Sequence, residues 1–160
     1  MPLSTSQQTT LKAAILADSQ LNAFVPARAA DSIVDLLNVA ASPSFTVWKT
    51  NVSITQVGNN FVGTEFAGLS TLNATRLQTI AQYSPDGINP SFADRRAFFD
   101  DVFSGAGGVL TRAKLLILWK RFATRCEKIL ATGTGSDASP ATLGYEGTVT
   151  AGDIRDTMGW

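Results

Sequence analysis

Residues 111–130 run Thr111-Arg112-Ala113-Lys114-Leu115-Leu116-Ile117-Leu118-Trp119-Lys120 and then Arg121-Phe122-Ala123-Thr124-Arg125-Cys126-Glu127-Lys128-Ile129-Leu130, without a glycine or a proline. Leu115, Leu118, Trp119, Phe122, Cys126, Ile129 and Leu130 recur at helical spacing, so the stretch predicts one long helix with a continuous apolar face. At about 100° per residue, Lys114, Arg121, Arg125 and Lys128 form a basic stripe flanking that face. Such a helix needs partners for its apolar side, and the segments before it supply them.

Immediately upstream, Gly105-Ala106-Gly107-Gly108 reads as a flexible break. Before it, Asn89-Pro90-Ser91 starts a helix carrying Phe92, Phe98, Phe99, Val102 and Phe103. Asn can cap it while Pro90 takes the first helical position, where a missing N–H costs nothing. From Glu65 to Tyr83, the residues Phe66, Leu69, Leu72, Leu77, Ile80 and Tyr83 fall on one stripe, stopped by Ser84-Pro85-Asp86-Gly87. Ser44–Trp48 suits a strand through Phe45, Thr46 and Val47, yet no partner strand is apparent, so it reads as an extended connector. Asp31 opens a helix with Ile33, Leu36, Leu37 and Ala40 on one face, ended by Ser42-Pro43. The first helix is capped by Ser6 or Thr5, carries Leu11, Ala14, Ile15 and Leu21, pauses at Asp18-Ser19 and stops at Pro26.

Downstream of Ala131 the composition changes to TGTGSDASPATLGYEGTVT over 132–150, which offers little to bury. Thr150 caps a last short turn through Ile154 and Met158. The predicted fold class is therefore all-α: a small helical bundle domain over 1–131 with long irregular connectors, and an extended C-terminal arm over 132–160. The bundle core is expected from 65–83, 92–103 and 110–130, and the arm is expected to be mobile in the isolated chain.

The chain has 160 residues, enough for one domain with a real core, and 44% of them are hydrophobic. Thirteen Lys+Arg balance thirteen Asp+Glu, so no global field draws the protein to nucleic acid or an anionic membrane. With no histidine, the commonest general base and nitrogen metal ligand is missing, and one cysteine makes neither an internal disulfide nor a cysteine-based zinc site. Residues 1–10 have no basic leader, and the apolar run Leu115–Trp119 is far shorter than the roughly 20 residues that span a bilayer, so a cytoplasmic product without a membrane partner is expected.

Candidate chemistry is thin. Asp100-Asp101 and Asp153/Asp156 are the acid pairs, but adjacent carboxylates on a helix diverge and suit surface salt bridges. Neither Gly105–Gly108 nor Gly133/Gly135 is followed by the lysine of a phosphate-binding loop. Ser104 and Thr111 lack an activating base, apart from Lys114 one turn past Thr111. No catalytic residue, cofactor or metal is expected, and Cys126 reads as a small buried hydrophobe.

A local charge feature remains: Arg112, Lys114, Lys120, Arg121, Arg125 and Lys128 against the single acid Glu127. Three readings stay open, namely a solvated face, a subunit interface and a phosphate contact. If the stripe is an interface, Arg121, Arg125 and Lys128 meet carboxylates, with Asp100 and Asp101 of a neighbouring copy as a source. Trp119 belongs to the core stripe, whereas Trp48 in a connector and Trp160 at the chain end suit docking into another surface.

Thr124-Arg125-Cys126-Glu127-Lys128, Ala131-Thr132-Gly133-Thr134-Gly135, Ser139-Pro140-Ala141-Thr142 and Gly144-Tyr145-Glu146-Gly147 together resemble small structural proteins of the head-and-neck module of tailed bacteriophages. Leu11–Asp18 and Ser42–Trp48 agree with the resemblance, which spans most of the chain. It implies a head–tail adaptor, or connector: a non-enzymatic virion protein, made in the host cytoplasm and placed in the neck. Its partners would be copies of itself in a ring, a dodecamer, together with the portal protein and a tail or stopper/terminator protein. Genomic DNA would pass through the lumen without sequence-specific binding. On this view Trp48, Arg121, Arg125 and Lys128 belong to protein interfaces, and Leu143, Tyr145, Ile154, Met158 and Trp160 are spaced anchors of the arm. The alternatives are a nucleic-acid-binding phage accessory protein using the 112–128 basic helix, or another neck or tail-terminator ring protein.

Overall fold

A computed structural model describes residues 2–160, and the chain is mostly helical, at 54%. In chain order, the first half holds α1 (Thr5–Ala17), α2 (Ser19–Asn22), α3 (Ala30–Leu37), β1 (Thr46–Trp48), α4 (Ile54–Asn59) and α5 (Gly63–Ala67). The second half holds α6 (Thr71–Tyr83), α7 (Ala93–Val102), a 3-10 turn (Ala106–Gly108), α8 (Val109–Leu118), β2 (Lys120–Phe122), α9 (Arg125–Leu130) and α10 (Ala151–Met158). β1 and β2 pair as a two-stranded sheet. The fold forms two compact units: the described residues up to Val47 with Phe122–Trp160, and the continuous segment Trp48–Arg121.

The long helix expected over 111–130 is three elements, α8, β2 and α9. Its interruption has a physical cause. Residues 119–123 find backbone partners outside the helix: Lys49 N–H donates to the Trp119 carbonyl (2.8 Å), Ala123 N–H to Phe45 (2.9 Å), and Ala41 N–H to Ala123 (3.0 Å). Thr124 then starts α9 with a capping box, its hydroxyl accepting from Glu127 N–H while the Glu127 carboxylate accepts from Thr124 N–H. Ser44–Trp48 therefore does have a partner strand, and Phe122, assigned to the core face, is exposed. The helix expected over 65–83 is likewise divided into α5 and α6, the second capped by the Ser70 hydroxyl.

In the first unit, α1 opens on a Ser4/Gln7 capping box and ends at Asp18, whose carboxylate accepts from Gln20 and Leu21 N–H and so starts α2. α1 packs on α9 and α10, and α3 packs on α10 and α9. Leu11, Ile15, Leu21, Ile33, Leu37, Cys126 and Ile154 meet there with no exposed surface. Each buried aliphatic side chain of this kind contributes about 1.5–3 kcal/mol.

The segment 132–160 is not a separate arm. Thr132 and Thr142 exchange backbone hydrogen bonds at 2.9 and 2.8 Å, Thr46 N–H donates to the Gly135 carbonyl (2.7 Å), and Ala141 N–H donates to Thr46 (2.9 Å). The Asn38 carboxamide imitates a strand edge by donating to the Val149 carbonyl (2.9 Å) and accepting from Val149 N–H (3.0 Å). Glu127, buried at the start of α9, also accepts from Gly147 N–H at 3.1 Å. Thr150 caps α10 reciprocally with Asp153. Gly135 has a left-handed φ of 66°, and a Cβ there would stand 2.1 Å from the Phe45 ring, so the aromatic lies where only glycine leaves room. A composition that reads as linker is thus a fitted element. The boundary expected at 131/132 gives way to boundaries within β1 and β2.

The second unit has its own core of Val52, Val57, Leu77, Ile88, Phe99, Val102, Phe103, Leu115 and Trp119. Val52 and Ile88 exchange two backbone hydrogen bonds of 2.8 Å. α8 starts at Gly108, which has no side chain to cap it, and Glu65 of α5 does so instead: its carboxylate accepts from Leu110 N–H (3.0 Å) and Thr111 N–H (2.7 Å). Withdrawal from water raises the Glu65 pKa, but hydrogen bonds from Thr111 and Leu110 and the nearby Arg112 charge outweigh it and hold the carboxyl below its ordinary value.

Candidate functional site

Two surfaces stand out, one in each unit. In the first unit, an open groove of about 690 Å³ has apolar walls from Leu36, Val39, Ala14 and Ile129. Its charged lining comes from Asp18, Arg125 and Lys128. The Thr124 cap sets Arg125 in the first turn of α9, and Lys128 follows three residues later on the same side. Arg125 donates to Asp18 in an ion pair and also to Gln20 at 3.3 Å. Withdrawal from water pushes the Asp18 carboxyl up, but the Arg125 guanidinium and the Leu21 and Gln20 N–H groups prevail, leaving it below 3.8. The Lys128 ammonium lies 5.7 Å from the Phe45 ring centroid. Two of these three charges cancel, so the groove lining is net positive.

In the second unit, α8 buries Thr111 and Leu115 and turns its other side to water. Ile117 is 73% exposed and Leu110 59%, with Val109 and Leu116 also exposed. Leu110, Ala113 and Ile117 follow helical spacing, making a ridge in which Lys114 is the exposed charge. Beside it, Asp100, Ser104, Ala113 and Leu116 border a hollow of about 430 Å³, across which Arg112 donates to the Phe103 and Gly105 carbonyls. A single apolar stripe along the sequence does not reveal this surface. VLTRAKLLIL has too many large apolar residues for a single face, and that excess was the available signal.

The residues expected at interfaces fall in different places. Arg125 and Lys128 come together in the groove lining, and Arg121 belongs to β2 and not to that lining. Tyr145, Ile154 and Met158 are corrections: all three are buried in the core of the first unit and cannot anchor a partner while it is closed. Tyr145 also donates its hydroxyl to the Thr148 carbonyl at 2.7 Å. Leu143 and Trp160 are half-buried against the clusters of that unit. Trp48 is half-buried with the Arg96 guanidinium 3.9 Å from its ring centroid, so its face is already covered. The basic residues of 112–128 do not share one helix: Lys114 is in α8, Arg121 in β2, and Arg125 and Lys128 in α9.

The remaining candidates are committed to structure. Asp101 pairs with Arg76 at 2.7 Å, Asp153 caps α10, and the buried Thr111 hydroxyl accepts from Val62 N–H at 3.0 Å. Burial, with Glu127 and Asp153 nearby, pushes the Cys126 thiol up to about 12. Among the described residues, no three His, Cys, Asp or Glu side chains are grouped to hold a metal ion, and no helix is long and apolar enough to cross a membrane. No family model, curated protein or solved structure matches the chain.

Proposed function

We propose that this chain is a non-enzymatic structural subunit, a head–tail adaptor of a tailed-phage neck. It assembles with its own copies into a ring, a dodecamer, between the portal and a tail or stopper protein, with genomic DNA in the lumen. The observation that carries the assembly part is the outer face of α8, where Leu110, Leu116 and Ile117 remain in water although the unit has a complete core of its own. Large apolar side chains grouped this way favour a protein partner, each contributing about 1.5–3 kcal/mol on burial. The phage part rests on the resemblance carried by residues 124–147, with which Leu11–Asp18 and Ser42–Trp48 agree. The nucleic-acid alternative would draw on basic residues of 112–128 that are divided among α8, β2 and α9. The reading is tested by cryo-electron microscopy of phage particles containing this chain. A ring of copies at the neck is expected, and absence of the chain from purified particles overturns it.

A further inference from the structure

We propose that the groove of the first unit binds an acidic, aliphatic segment of a partner protein. Lys128 meets the carboxylate, and the Leu36/Val39/Ile129 wall meets the aliphatic side chain beside it. The inference rests on the reading of this chain as a subunit with protein partners, and it gives one of them a chemistry. Of the three charges in the groove lining, two are answered within the fold. The Asp18 carboxylate accepts from Gln20 and Leu21 N–H at 3.0 and 3.2 Å and pairs with Arg125, so its lone pairs are committed to the start of α2 and to that guanidinium. Lys128 is half-buried and, among the described residues, has no carboxylate within ion-pair distance. Its ammonium lies 5.7 Å from the Phe45 ring centroid, and that ring is held over Gly135. A cation partly withdrawn from water and lacking a counter-ion gains from a carboxylate brought by a partner.

The rest of the lining says what carries that carboxylate. Ala14, Leu36, Val39 and Ile129 are aliphatic, and Val39 is 52% exposed, so the ligand has an aliphatic part next to its acid. No aromatic ring lines the groove to stack a base, and one surplus cation is a poor match for a phosphate backbone. Because the groove is open, a free aliphatic acid would leave much of its tail in water, whereas a segment of a folded partner turns that side to its own protein. The outer face of α8 is not the occupant, since its exposed charge, Lys114, has the sign of Lys128.

Fluorescence anisotropy with a labelled octapeptide of alternating leucine and aspartate tests the site. Saturable binding that weakens as salt rises is expected, with about tenfold or more weaker binding of leucine–lysine and serine–aspartate octapeptides. Lys128→Glu and Val39→Asp are each expected to lower the affinity by about tenfold or more, with helix content unchanged by circular dichroism. Lys128→Gln, which removes the charge without placing an acid beside Glu127, is expected to weaken binding in the same direction. Ile117→Lys is expected to bind the peptide like the wild type. Equal affinity of Lys128→Gln and wild type, or loss of binding in Ile117→Lys, overturns the proposal. So does binding of decanoate without binding of the peptide, which would make the site one for a free aliphatic acid. If the peptide dissociates a wild-type oligomer, a second copy fills the groove and the partner assignment is wrong. Absence of saturable peptide binding removes the site and leaves the assembly reading, which stands on α8. A wild type that stays monomeric yet binds the peptide keeps the site and removes the assembly reading.

Discussion

The two units treat apolar side chains in opposite ways. The first, built from both ends of the chain, draws its large aliphatics inward and fastens its last thirty residues with Asn38, Glu127 and Thr150. The second, a continuous segment, contains eight of the eleven exposed large hydrophobic side chains found among the described residues. A core whose surplus apolar surface remains in water has a task beyond its own stability. The first unit thus buries most of its large aliphatics, and the second displays the apolar surface to which the proposed assembly is assigned.

The largest expected effect breaks this contrast at the core. Ile154→Ala empties a fully buried position and is expected to lower stability by about 2–5 kcal/mol in denaturant melts, whereas Ile117→Ala is expected to change it by less than about 0.5 kcal/mol. Comparable losses would mean that the α8 face is structural. Next comes the fastening of the C-terminal segment. Glu127→Ala leaves the Thr124 and Gly147 N–H groups without their buried acceptor and is expected to cost about 1–3 kcal/mol. In the wild type, limited proteolysis is expected to spare Gly133–Ser139, and in the variant to cut there. Early cutting of the wild type would restore the mobile arm.

The smallest effect concerns acid. Asp18 and Glu65 have folded pKa values below their ordinary 3.8 and 4.5, so each stabilises its unit above those values. That contribution is lost as pH falls through the still lower folded values, because protonation then occurs in both states. Thermal melts between pH 6 and pH 2.5 should show a shallower acid decline in Asp18→Asn and in Glu65→Gln than in the wild type. Unchanged slopes would place the acid sensitivity elsewhere.

What the sequence disclosed depended on whether the signal was local. The break at Asp18 and the cap at Thr150 were legible because one side chain and its own neighbours decide them. The cap at Thr124 had the same form, Thr followed three residues later by Glu, but the apolar spacing around it pointed to a continuous helix. What decides the matter is the pairing of Ala123 with Phe45 and Ala41, far away in sequence. Residues 132–150 were opaque for the same reason: Gly135 has meaning only beneath the Phe45 ring, and Val149 only opposite Asn38. In the candidate site, Arg125 and Lys128 could be placed together from their spacing. Leu36 and Val39 could not be joined to them, since α3 reaches α9 through tertiary packing alone.

The central claim is that the outer face of α8 is an assembly surface and not simply tolerated exposure. Sedimentation velocity over a concentration series tests it directly when Ile117→Lys is compared with Leu16→Lys, a change at an exposed apolar position of the first unit outside the groove lining. The expected result is association in the wild type and in Leu16→Lys, and its loss in Ile117→Lys with helix content unchanged. Equal association of all three proteins would contradict the claim.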